Sequence, residues 1–146
     1  MKRVSQSLTD TALIAAEYLK ELAVGESATV VALEGDLGSG KTSFVQALAR
    51  ALGVKGEVTS PTFVVEKVYK LEGRAFSHLV HIDAYRIESS AELVHLGWNE
   101  LIADRGNLIV VEWPERIADI LPANKKTVSF QFVDETTRHI QIASHG

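Results

Sequence analysis

Cysteine is absent from the 146 residues, which removes a disulfide framework, a thiolate zinc site and a cysteine nucleophile at one stroke. A basic excess is absent too. Nineteen Asp and Glu stand against fifteen Lys and Arg, a net charge of −4, the wrong sign for a chain that wraps nucleic acid through its own phosphate contacts. Any nucleic acid in its biology is expected to be held by something else. No apolar run approaches the roughly 20 residues that cross a bilayer. Met1-Lys2-Arg3 leads into Val4-Ser5-Gln6-Ser7 rather than an apolar stretch, so no secretory signal is expected. These absences point to a cytoplasmic, reducing location with no membrane partner. What is present, 46% hydrophobic and 23% charged residues, suits one folded domain over 1–146. A chain of this size hides about two-thirds of its unfolded surface, enough for a core without staples.

Several elements can be placed from pattern. Ser7-Leu8-Thr9-Asp10 is a helix start signal, and Leu8, Ala12, Ala16, Leu19 and Ala23 recur at helical spacing, which predicts a helix from about Thr9 to Ala23. Ala28 to Leu33 is a short apolar run with β-branched residues, the pattern of a strand buried on both faces. A glycine-rich loop from Gly35 to Gly40 follows, then a helix from about Lys41 to Leu52 with Gly53 as its stop. Pro61 interrupts the chain. Thr62 to Leu71 and Ala75 to Ile82 read as strands of a hairpin turning at Glu72-Gly73-Arg74. Ser89-Ser90-Ala91-Glu92 caps a short helix ending near Gly97, and Leu108 to Val111 is a second buried strand, closed by Glu112. Pro114 suits the first turn of one more helix. Val128, Phe130 and Phe132, then Ile140 and Ile142, alternate as a terminal hairpin around 134–137. The sum is an α/β fold: a mixed sheet with a parallel core and antiparallel strands, flanked by helices.

Gly35-Asp36-Leu37-Gly38-Ser39-Gly40-Lys41-Thr42 fits G-x-x-x-x-G-K-[ST] in full and lies between a predicted strand and a predicted helix, the context this motif requires. By chance the pattern arises in about one in a few hundred chains of this length. The chemistry explains the residue types. Backbone N–H groups converge on phosphate oxygens only where the loop is free to take positive φ, which glycine supplies at Gly38 and Gly40. The helix that follows offers unpaired N–H groups and a positive dipole end. Lys41 can then reach the β and γ phosphates as a point charge, and the hydroxyl of Thr42 can ligate Mg²⁺. Residues Asp36 to Ser43 are thus the candidate nucleotide-binding segment. A glycine turn ahead of a helix accounts for Gly35 and Gly40 but not for Lys41 and Thr42 together.

Such a loop needs an acid at the end of a neighbouring buried strand to hold the metal. Asp83 and Glu112 are the two candidates, each placed where a parallel sheet presents its C-terminal edge. Each has a bland alternative as a helix cap or rim ion pair. Thr62, after Ser60-Pro61, is a candidate for sensing the γ-phosphate or a plain strand start. Trp113 reads as core in preference to site wall. Arg86 reads as a charge-neutralising group or an exposed ion-pair arginine. The five histidines show no i, i+4 pair and no acidic escort, which argues against a histidine metal site.

With these segments in hand, the chain resembles the bacterial TsaE (formerly YjeE) family of P-loop ATPases in tRNA threonylcarbamoyladenosine biosynthesis. The resemblance spans nearly the whole length. It rests on residues 35–42, Ser60-Pro61-Thr62-Phe63, His81-Ile82-Asp83-Ala84-Tyr85-Arg86 and Val111-Glu112-Trp113-Pro114-Glu115. The last three segments discriminate, since the first is shared by many ATPases. Glutamate in place of the usual strand-end aspartate is normal in that family; Ala84 departs from a common leucine. The resemblance implies Lys41 as the phosphate-binding lysine, Thr42 and Glu112 as Mg²⁺ partners, Asp83 as an essential acid and Thr62 as a switch-like contact. It also implies ATP hydrolysis while docked on TsaB and TsaD homologues, resetting that complex, with tRNA bound chiefly by the partner.

Other functions fit parts of the pattern. A small-molecule P-loop kinase would use Asp83 to deprotonate an acceptor hydroxyl, but so short a chain shows no substrate domain or arginine-rich lid. A GTPase is disfavoured because Asn124-Lys125-Lys126-Thr127 lacks the fourth-position carboxylate that reads guanine. A nucleotide-gated binding module, without turnover, is compatible with every residue named.

Overall fold

A computed structural model of the chain describes residues 2–36, 38–55 and 66–142. Its strands are β1 (Lys2–Ser5), β2 (Thr29–Glu34), β3 (Glu66–Lys70), β4 (His78–Asp83), β5 (Asn107–Glu112), β6 (Lys126–Phe132) and β7 (Arg138–Ile142). They form one sheet in the order β1-β7-β6-β2-β5-β4-β3. The centre is parallel, with β2 between β6 and β5 and β4 beyond β5. Both margins are antiparallel, β3 on β4 at one side and β7 and β1 at the other. The mixed α/β sheet expected from the sequence is therefore present.

Helices α1 (Leu8–Glu21) and α2 (Lys41–Ala51) cover one face. The other face carries α3 (Ser90–His95), α4 (Trp98–Ala103) and a 3-10 helix over Pro114–Ile120. Period-two alternation sorts the strand residues between these layers. Val31, Leu33, Leu79, Leu108 and Val110 pack under α1 and α2. Val30, Val80, Ile82, Ile109 and Val111 pack under the second layer. With both faces covered, every residue of β5 is buried, which is why its sequence reads as an apolar run rather than an alternation. Phe44 of α2 is the hinge of the first layer: it has no exposed surface, and its ring meets Tyr18 at 6.1 Å and Phe130 edge-on at 5.3 Å.

Several expectations are corrected in detail. The Lys2–Ser5 segment, read only as lacking the apolar stretch of a secretory signal, forms edge strand β1 on β7. The β3–β4 hairpin exists, but its connection runs over 71–77 rather than a tight turn at Glu72-Gly73-Arg74. Leu71 and Phe76 are drawn into the core, and the Leu71 amide donates to the Ser77 carbonyl at 2.8 Å. The helix from Ser90 stops as foreseen at Gly97, whose φ of +96° suits glycine, but α4 begins immediately after it. Pro61 and residues 62–65 of the first hairpin strand lie outside the described residues.

Candidate functional site

The site is built at the C-terminal edge of the parallel strands. β2 ends at Glu34, and the glycine-rich loop turns the chain directly into α2. Gly35 takes φ +149°, and a Cβ there would lie 2.7 Å from both the Phe130 carbonyl oxygen and Ser39 Oγ. Only glycine fits so close an approach. Gly40 caps α2 at φ +104° with no side chain to bond the first-turn amides, so these N–H groups and the positive end of the helix face the cleft. That is the physical basis of an anion site.

Lys41 opens α2 and is itself buried, 5% exposed. Its Nζ donates to the Gly35 carbonyl and stands 3.7 Å from the centre of the Trp113 ring. Burial holds its pKa below the ordinary lysine value, while the carboxylates of Glu112, Glu115, Asp83 and Asp36 oppose that shift. One helical position on, Thr42 Oγ1 donates to Glu112 Oε1 at 3.1 Å. The other carboxylate oxygen, Oε2, is 2.6 Å from His81 Nε2, inside the protein. A carboxylate only accepts, so the ring proton sits on Nε2. Asp83 is the register partner of Glu112 across β4 and β5, and its Oδ1 accepts the Tyr85 amide at 3.0 Å.

These groups line a cleft of about 300 Å³. Among the expected site residues, Gly38, Ser39, Gly40, Lys41, Thr42, Ser43, Asp83 and Glu112 line it together. Asp36 is not in the lining and acts on Lys41 through charge alone. Leu37 and Thr62 lie outside the described residues. Trp113, expected in the core, is instead half-buried at the wall of the cleft, with Tyr85 tilted on it at 5.0 Å between ring centres. Its left-handed backbone, φ +60°, ends the alternation of β5 and swings the ring out beside Lys41. Arg86 is exposed and absent from the lining.

Sequence reasoning missed the guanidinium that does reach the cleft, Arg138 at the start of β7. It missed the acidic escort of His81 as well, because Glu112 lies 31 positions away. A signal for the second was available. In β4, His81 falls on the same alternate face as buried Leu79, and a polar ring there requires a partner.

The sequence model for "Threonylcarbamoyl adenosine biosynthesis protein TsaE" matches residues 5–140. The chain belongs to the TsaE family. Relatives named tRNA threonylcarbamoyladenosine biosynthesis protein TsaE include that of Treponema pallidum, 38% identical with 98% of this chain and 100% of the relative covered. That of Streptomyces coelicolor is 44% identical over 80% of each chain. The crystal structure of YdiB from Bacillus subtilis superposes with a TM-score of 0.74 at 28% identity, covering 100% of this chain and 86% of that one. Among the described residues of this TsaE-family chain, no helix is long and apolar enough to cross a membrane.

The donor set of the cleft suits a hard cation and an anionic partner. Thr42 and Glu112 offer oxygen ligands, and among the described residues no three His, Cys, Asp or Glu side chains converge as a metal cage. Mg²⁺ is commonly held this way, by one or two protein oxygens with water and phosphate oxygens completing the shell.

Proposed function

We propose that the chain binds Mg²⁺-ATP in this cleft and hydrolyses it slowly, in the service of tRNA N6-threonylcarbamoyladenosine formation with TsaB and TsaD homologues as partners. The observation that carries the reading is the meeting of Lys41, Thr42, Glu112 and Asp83 at the first turn of α2. The loop and helix amides together with Lys41 neutralise charge on the transferring phosphate. Thr42 and Glu112 would hold Mg²⁺, which would supply positive charge to neutralise the phosphate. Thr42 is suited to this because its hydroxyl proton already points to Glu112, leaving its lone pairs for the metal.

The two acids divide the work. Glu112 is buried, with its oxygens engaged by Thr42 and His81, which supports a fixed metal-side role. Asp83 is half-buried at the cleft wall, where an attacking water can reach it, which supports orienting that water. Turnover of the isolated chain is slow in this reading, because Arg138 is folded onto its own turn and a partner completes the charge stabilisation. The family's naming for threonylcarbamoyladenosine biosynthesis supports the pathway, and the net charge of −4 supports tRNA being held by the partner.

Phosphate release from ATP against GTP, alone and with purified TsaB and TsaD, tests the whole reading. Release from ATP, stimulated by the pair, is the expected result. Phosphorylation of a metabolite would turn the reading to a kinase, and tight binding without any release to a nucleotide-gated module.

A further inference from the structure

The end of α2 away from the phosphate cleft carries a second concentration of charge. Eleven residues at about 1.5 Å each put the two ends of this helix about 16 Å apart. Beyond the far end lies a cleft of about 670 Å³, bounded on one side by Gly53 to Lys55. Its other side is the end of β3, Val68 to Lys70, with Glu72 and Arg74 of the β3–β4 connection. Lys70 is the register partner of His78, the first residue of β4, whereas Asp83, the last, belongs to the nucleotide cleft. The two spaces share no lining residue.

Three cations line this cleft, Lys55, Lys70 and Arg74, against one acid, Glu72. Among the described residues none of the three side chains has an ion-pair or hydrogen-bond partner. Arg74 is nonetheless held close to the helix end, since a Cβ on Gly53 would stand 3.3 Å from its Nη2. It is not there as a helix cap. The carbonyls of Leu48, Ala49 and Arg50 already accept the amides of Leu52, Val54 and Gly53, at 2.9, 2.9 and 3.0 Å. Grouped cations repel one another, and in a chain with nineteen acids counter-charges are plentiful. Their convergence without partners is the observation that points to a ligand.

We propose that this cleft is a binding site for a small phosphate-bearing anion, separate from the nucleotide site and independent of it. Arg74 offers the planar fork that bonds a phosphate through two N–H groups, with Lys55 and Lys70 as point charges beside it. Three cations in one space suit two or more negative charges on one ligand. A pyrophosphate or a phosphate monoester carries that charge and a single carboxylate does not. The volume lies within the range of small-ligand sites. A nucleic-acid strand fits less well, because the cations surround one cavity rather than forming a stripe, and the chain as a whole carries −4.

The experiment is equilibrium dialysis of labelled inorganic pyrophosphate at low salt with EDTA present, which withholds the Mg²⁺ that the nucleotide cleft needs. The expected result for wild type is one pyrophosphate bound per chain, kept in Lys41→Met and weakened at least tenfold in the double variant Lys70→Met, Arg74→Met. All three cleft cations are exposed, so the double variant should melt with wild type, and Arg74→Lys alone should keep part of the affinity. No binding by wild type overturns the proposal. Affinity unchanged in the double variant overturns it too; if Lys41→Met then abolishes binding, pyrophosphate sits in the nucleotide cleft and that reading stands. An oligouridylate that binds more tightly than pyrophosphate and is lost in the same double variant would overturn it in favour of a nucleic-acid interface.

Discussion

Replacing His81 by Phe removes the hydrogen bond that holds Glu112 from behind while nearly keeping the ring volume. The bond is 2.6 Å long and neither partner reaches solvent appreciably, His81 at 0% and Glu112 at 4% side-chain exposure. A hydrogen bond to a charged group contributes about 1.5–3 kcal/mol, and here its loss also strands a buried carboxylate oxygen. At roughly 2–4 °C per kcal/mol for a chain of this size, melting should fall by about 3–12 °C. The more telling effect concerns Mg²⁺. Released from His81, the Glu112 carboxylate can rotate away from Thr42, and losing a partner behind a metal-ligating side chain typically weakens metal binding about 10–100-fold. Thermal melting and a Mg²⁺ titration of nucleotide binding measure the two effects separately. His81→Gln, whose amide can still donate to Oε2, should restore much of both. A His81→Phe protein that melts early yet titrates Mg²⁺ like wild type would refute the positioning argument, because a merely structural histidine predicts that pattern.

Thr42→Ala removes the hydroxyl that donates to Glu112 and that is proposed as a Mg²⁺ ligand, so the Mg²⁺ requirement of nucleotide binding should weaken; an unchanged metal titration contradicts its role. Lys41→Met should abolish phosphate release and keep the fold, since the lost group is a buried ammonium at the proposed phosphate site. The same variant carries a pH test. Burial lowers the folded-state pKa of Lys41 below 10.5, so between those values the unfolded chain binds more protons and stability rises with pH. Denaturant melts approaching pH 10.5 should therefore show a rising contribution in wild type that Lys41→Met lacks; parallel curves would argue against the buried charge. Phe44→Ala, cutting out the ring between Tyr18 and Phe130, should cost about 3–5 kcal/mol, read as a shift in the denaturant midpoint with nucleotide contacts untouched.

What could be read from sequence was what is contiguous. The run Leu108–Val111 is apolar because both faces of β5 are covered, and residues 35–42 carry glycine, lysine and threonine because one loop and one helix start need them together. Ser7 announces α1 because its Oγ accepts the Asp10 amide at 3.0 Å, a bond between near neighbours. Illegible features were those made by assembly. β1 has one fully buried residue and exposes Val4 by half, so it has no strand pattern of its own and forms because β7 offers an open edge. Arg138 reaches the cleft because the β6–β7 hairpin returns it over Gly40, a glycine 98 positions earlier in the chain by the numbering. Trp113 was misplaced because one left-handed residue broke a periodicity that held through Glu112.

The electrostatics of the cleft lead to a last prediction. Asp83 and Glu112 are register partners on adjacent strands, and Asp36 and Glu115 add negative charge near the buried Lys41. Phosphate alone meets favourable amides and one ammonium but also this acidic wall; Mg²⁺ alone meets the wall but also the ammonium. Together the two ligands cancel each other's unfavourable contacts, so their binding should be strongly coupled. A ligand at 100 times its dissociation constant stabilises the fold by about 2.7 kcal/mol, or roughly 5–11 °C in melting for a chain of this size. Mg²⁺-ATP at that level should produce such a shift, whereas ATP with chelator or Mg²⁺ alone, at the same concentrations, should produce little. Equal shifts from ATP with and without metal would mean that Thr42 and Glu112 hold no cation, and the acids would then need another explanation.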